Sequence, residues 1–208
     1  MDPKLPQTSQ VTPPTPAQPA SPEPTSPWER WRSLWVGQWS NLRVLAIALA
    51  IALTVRVFIA EPRYIPSNSM DPTLHIGDRL LVEKISYRWQ PPHRGDIVVF
   101  APPPQLTRLG YAPQQAFIKR VIGEPGQTVQ VSQGQVLVDG MPLQEAYLLE
   151  PPAYTLEPVT VPQGQVFVMG DNRNDSNDSH VWGGLPQGNI IGRARLRFWP
   201  LDRIGPVS

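Results

Sequence analysis

Two serines in Pro66-Ser67-Asn68-Ser69-Met70-Asp71-Pro72-Thr73-Leu74 and a lysine in Phe117-Ile118-Lys119-Arg120-Val121-Ile122 are the residues best suited to carry chemistry. A serine hydroxyl attacks a carbonyl poorly unless a nearby group takes its proton, and a lysine can take it only when neutral. The lysine pKa must then fall from about 10.4 to roughly 7 or 8, which needs apolar burial or nearby positive charge. On an extended strand Lys119 shares a face with Phe117 and Val121, so desolvation is open to it. Snorkelling from a strand edge is open to it as well. Read alone, the serine segment is equally a proline- and serine-rich loop.

A third segment, Gly170-Asp171-Asn172-Arg173-Asn174-Asp175-Ser176-Asn177-Asp178-Ser179-His180, is dense in acidic and amide residues. A calcium loop is its obvious rival reading. It fails on detail, because an EF-hand needs glycine at its sixth position and glutamate at its twelfth, where Ser176 and Trp182 stand. Disorder also fails, since an apolar run enters the segment and Val181-Trp182 leaves it. His75, His93 and His180 raise a further rival, a Ser-His-Asp triad. The chain has no cysteine, which excludes a thiol nucleophile, disulfides and thiolate metal sites. Its net charge of +1 with scattered basic residues argues against a nucleic-acid partner.

These residues need elements to position them. Of 27 prolines, nine fall in the first 27 residues, where large apolar side chains are almost absent. Such a stretch cannot bury enough surface to offset chain entropy, so 1–27 reads as a disordered, partly extended tail. A proline-rich docking peptide is the sharper reading of the same composition. Trp28, Trp31, Trp35 and Trp39 then recur at helical spacing, which suits an amphipathic interfacial segment over 28–41. A helix packed on the soluble domain is the alternative.

Residues 42–60 read as a membrane anchor. Val44 to Ala60 is 17 residues, apolar apart from Thr54 and Arg56. As a helix it is about 26 Å long, just enough to span. A cleaved secretory leader competes with this reading. Against it stand more than forty preceding residues, Arg56 straight after the apolar core, and Phe58 where a cleavage site wants a small side chain. Arg30, Arg32 and Arg43 before the span outnumber Arg63 and Arg79 after it, favouring a cytoplasmic N-terminus.

Beyond the span, 61–208 shows short β-branched runs at 80–84, 96–100, 117–122, 128–131, 135–140, 166–170 and 193–199. Turn signals at Arg94-Gly95-Asp96, Glu124-Pro125-Gly126 and Asp139-Gly140 separate them. No helical period of useful length appears. The expectation is a mainly β fold, a compact barrel-like antiparallel sheet domain behind a single N-terminal transmembrane helix. Val-Ser-Gln-Gly-Gln-Val-Leu-Val from 131 echoes Val-Pro-Gln-Gly-Gln-Val-Phe-Val from 161, which reads as reused turn chemistry rather than a repeat.

In this order, PSNSMDPTL, RGDIVVF, FIKRVIGEPG and GDNRNDSNDSHVWG resemble the bacterial type I signal peptidase family. Each motif alone is weak; four behind an anchor, spanning about 61–200, are specific. The resemblance implies a membrane-bound serine endopeptidase with a Ser–Lys dyad, acting through an acyl-enzyme. Ser69 then matches the nucleophile, Lys119 the general base and Ser67 a hydroxyl of the oxyanion hole, beside the Ser69 N–H. Ser176 matches the serine that orients the lysine, and Asp178 its supporting acid. Asp171 and Arg120 match a bracing pair. Ile65, Leu74, Phe117 and Ile118 fall where the family lines shallow apolar pockets. The implied substrates are pre-proteins whose signal peptides have small residues one and three places before the cut. The implied setting is a single-pass protein with the domain on the trans side of a bilayer, beside the secretion translocon, without metal or cofactor.

Three positions depart from the family pattern. Asn68 stands where glycine is frequent, Asn174-Asp175 reverses the usual order, and His180 replaces a common arginine, which leaves the partner of Asp178 open. Two rival functions remain: a non-catalytic secretion adaptor, for which Ser69 and Lys119 would be coincidence, and a self-cleaving regulator, for which a DNA-binding module is missing.

Overall fold

The computed structural model describes residues 27–207. Nearly all of the expected tail, and the side chains of Trp31 and Trp35, lie outside what is described. The chain opens with α1 (Pro27–Thr54), where proline suits a first helical position because its missing N–H would have no partner there. The helix runs on as a π-helical turn (Val55–Ile59). Asn41–Ile59 is 19 residues long, apolar enough to cross a membrane, and covered by no protein. That is about 28 Å of helix. The expected anchor, 42–60, thus starts one residue earlier and yields Ala60 to the first strand. One unbroken helix carries both the tryptophan-rich turns and the apolar ones.

Contacts divide the chain after Ile47, and the second unit holds all the strands. These are β1 (Ala60–Tyr64), β2 (Arg79–Glu83), β3 (Ile97–Phe100), β4 (Phe117–Gly123), β5 (Thr128–Ser132), β6 (Gln135–Val138), β7 (Met141–Pro142), β8 (Leu156–Thr160), β9 (Gln165–Met169), β10 (Leu185–Pro186), β11 (Ile190–Trp199) and β12 (Gly205–Pro206). Two short helices interrupt them, α2 (Pro104–Arg108) and α3 (Ser179–Trp182). All seven expected runs are strands, with ends shifted by up to three residues.

The large sheet runs β1-β2-β11-β3-β4-β9-β10, with β12 added to β11, and a smaller sheet runs β7-β6-β5-β8. Every pairing is antiparallel. Register shifts in β11 and β4 increase local twist, so the large sheet curls, while its edges β1 and β10 stay unpaired with each other. The result is an open, half-barrel form of the expected barrel-like sheet.

Burial explains the strand sequences. Ile97 and Val99 point into one apolar cluster, Val98 and Phe100 into another, so β3 is apolar on both faces. β9 alternates likewise, with Val166 and Val168 in the second cluster and Phe167 and Met169 in a third under the small sheet. The echoed segments use different turns. Gln133 and Gly134 both have positive φ in a two-residue hairpin, whereas Gly164 alone does so in a turn closed by Gln165 N–H to Pro162 O at 3.1 Å.

Candidate active site

The serine loop follows β1 and is folded by its own backbone. Asp71 N–H donates to Asn68 O at 3.0 Å and Leu74 N–H to Met70 O at 2.9 Å, while Ile65 and Met70 anchor it in the first apolar cluster. Ser69 is thereby turned toward β4. There Lys119 Nζ donates to Ser69 Oγ at 2.6 Å, with both residues buried. Burial pulls the Lys119 ammonium down from 10.5 to about 8, against the opposing charges of Asp178 and Asp171. Removing the charge from water outweighs two carboxylates that do not touch it.

Ser67 Oγ lies 3.3 Å from Ser69 Oγ. Among the described residues the Ser69 N–H has no hydrogen-bond acceptor. A backbone donor and a hydroxyl therefore sit beside Ser69 Oγ.

The acidic segment after β9 supports this pair from behind. Asn172 N–H donates to Ser69 O at 3.1 Å, Asn172 Nδ2 to Asn68 O at 3.3 Å, and Asn68 Nδ2 to Asp175 Oδ2 at 2.8 Å. The departures at Asn68 and Asp175 thus bond to each other. Asp171 receives Arg120 through Nε at 2.8 Å and Nη2 at 2.7 Å, and Thr73 Oγ1 at 2.5 Å. Arg120 also stacks over Tyr147, 3.9 Å from the ring centre. The expected Asp171–Arg120 pair is therefore present, and it ties β4 to both functional loops.

Ser176 Oγ donates to Asp178 Oδ2 at 2.6 Å. Among the described residues no hydrogen bond joins Ser176 to Lys119, whose ammonium goes to Ser69 alone. Ile65, Leu74 and Ile118 share one apolar cluster, and Leu74 has no exposed surface. Phe117 packs on the other side of β4, against the second cluster. His75 pairs with Asp71 and His93 approaches Glu124, so neither reaches Ser69. His180 pairs with Asp178 rather than with the serine.

The sequence reading missed three supports. A Cβ on Gly170 would stand 2.3 Å from both Ser176 Oγ and Ser69 O, so only glycine lets the two loops meet. Its place at the head of the acidic motif was the available signal. Thr73 lay inside the serine motif without a visible partner. Arg173 binds Glu145 with two nitrogens and donates to Gly170 O at 3.1 Å. Nothing local pointed to Glu145, 28 positions away in a loop.

A family described as signal peptidase, peptidase S26, matches residues 38–199. The chain is 63% identical over 169 residues to the probable signal peptidase I-1 of Synechocystis sp., covering 81% of this chain and 86% of that one. It is 52% identical to signal peptidase I of Leptolyngbya laminosa, covering 81% and 83%. It is also 44% identical to the probable thylakoidal processing peptidase 2 of Arabidopsis thaliana, covering 83% of this chain and 48% of that one. With the family matched across most of its length, the chain belongs to the signal peptidases of peptidase family S26.

Proposed function

We propose that Ser69 and Lys119 are the catalytic dyad with which this chain removes signal peptides from exported pre-proteins. The observation that carries the assignment is the buried 2.6 Å contact between Lys119 Nζ and Ser69 Oγ, with the lysine brought to about 8. Neutral Lys119 takes the hydroxyl proton as Ser69 Oγ bonds to the scissile carbonyl carbon. The carbonyl oxygen becomes an oxyanion, held by the Ser69 N–H and the Ser67 hydroxyl. Lys119, now charged, returns the proton to the leaving amine as the peptide bond breaks. Neutral Lys119 then deprotonates a water, whose oxygen bonds to the acyl carbon; the ester bond to Ser69 Oγ breaks and the proton returns to that oxygen.

Asp171 and Arg120 brace the two loops, and Ser176 with Asp178 fixes the wall beside Lys119. Small side chains before the cut would rest over the cluster of Ile65, Leu74 and Ile118, in which Leu74 is fully covered and backs the wall rather than lining it, while Phe117 packs on the opposite face of β4. The segment 42–60 anchors the protein as a single pass, with 28–41 extending that helix into the headgroup region and 61–208 as the catalytic domain. The arginine excess before the span supports a cytoplasmic N-terminus and a catalytic domain on the trans side, near the translocon from which leaders emerge.

Incubating the detergent-solubilised full chain with a model pre-protein tests the assignment. Ser69→Ala and Lys119→Ala should each leave the pre-protein uncut while melting as one folded domain. Near-normal cleavage by either variant refutes the dyad.

A further inference from the structure

Asp178 has no exposed surface, yet it makes four polar contacts. Its Oδ2 accepts from Ser176 Oγ at 2.6 Å and Gly170 N–H at 2.8 Å. Its Oδ1 accepts from His180 N–H at 3.2 Å and meets His180 Nδ1 at 2.7 Å. A buried carboxylate needs a compensating charge or a full set of donors. Among the described residues, His180 is the one side chain paired with it that is able to carry a positive charge. The imidazole is held in place by Tyr154, stacked 4.3 Å away at 16°.

We propose that His180 is a positioning residue whose proton governs how strongly Asp178 holds Lys119 in its charged form. This rests on Lys119 being the general base. With His180 protonated, Asp178 is neutralised and Lys119 gives up its proton more readily. With His180 neutral, the uncompensated carboxylate favours the charged lysine, against the burial that disfavours it. Asp178 is the nearer in effect of the two carboxylates that oppose deprotonation of Lys119, so its compensation has leverage on the base.

The other charges around this relay do not change with it. The second carboxylate, Asp171, is committed to Arg120. Tyr154, on the far face of the imidazole, has its phenol pushed up by burial and stays neutral. Behind it, Arg173 and Glu145 neutralise each other. Histidine is the side-chain type whose charge ordinarily changes between pH 5 and 8. The relay therefore runs His180–Asp178–Lys119, with Ser176 and Gly170 holding the carboxylate at a fixed angle.

The test compares His180→Arg, with a permanent charge, and His180→Asn, a neutral donor, in the full chain. The readout is kcat against pH on a model pre-protein. The rising limb should lie lower in His180→Arg than in His180→Asn, by about half a pH unit or more. KM should be the same in both, because the His180 ring is engaged by Asp178 and Tyr154. Coincident midpoints, with only a common drop in kcat, would overturn the proposal and leave His180 a packing residue. A second measurement needs neither variant to fold. The His180 imidazole, titrated by NMR in wild type and in Lys119→Met, should hold its proton to higher pH once the ammonium is gone, since coupling is reciprocal. An unmoved midpoint also refutes the relay. Failure of the dyad reading is distinguishable, because Lys119→Ala would then still cut.

Discussion

β4 buries two neighbouring cations, and its two faces treat them differently. Arg120 meets both oxygens of Asp171, a hydroxyl from Thr73 and the ring of Tyr147, so its charge is fully matched. Lys119 meets one hydroxyl, at 2.6 Å, and among the described residues no carboxylate in hydrogen-bond range. The same burial that is harmless to the paired arginine drives the lysine towards neutrality. Pairing makes a brace, and its absence leaves an amine that can shed its proton. The guanidinium suits the first role because it keeps its proton at any working pH, the ammonium the second because it does not.

Swapping the chemistry on the base side should have the largest effect. Lys119→Arg keeps a cation that cannot act as a base, so kcat should fall by on the order of 10⁴ or more. Single-turnover cleavage with excess enzyme checks this. Breaking the brace comes next. Asp171→Asn leaves Arg120 buried without its counter-charge, at a cost of about 3–5 kcal/mol. Urea unfolding should show that loss at an unchanged m-value.

Ser67→Ala should lower kcat by about 10² to 10³, or ~2.7 to 4 kcal/mol, with KM little changed. A lowered melting temperature with normal kcat would make Ser67 a turn residue instead. The smallest effect sharpens the contrast from the stability side. Lys119 releases its proton at about 8 when folded and at 10.5 when unfolded. Between those values the unfolded chain binds more protons, so wild-type stability rises with pH. Lys119→Met should therefore stabilise the protein by about 3 kcal/mol at pH 7. That advantage should fade as pH passes from about 8 to 10.5. Paired melts across this range provide the check.

The strands that carry the site were legible because their burial leaves a period or an unbroken apolar run: 97–100, 117–123 and 165–169 are bounded by turn residues. β1 and β8 were not, since each contains a proline, Pro62 or Pro158. Both are edge strands, where a missing N–H costs no ladder bond, so the usual sequence penalty does not apply. The Ser69–Lys119 contact and the Asp171–Arg120 pair fall in the motifs that carry the resemblance, and the geometry adds what residue types cannot carry. Apolar neighbours alone left Lys119 free to snorkel; only the folded loops show it buried. Gly170 acts by lacking a side chain, and the Arg173–Glu145 pair joins positions with no shared local pattern. The partner of Asp178 depended on which way one imidazole turned.

If burial readies Lys119 as the base for Ser69, kcat under saturating pre-protein must follow the deprotonation of the lysine. The lysine must be neutral to act, so the rate should climb to a plateau with a midpoint near 8. A midpoint near the ordinary lysine value of 10.5 would contradict the account.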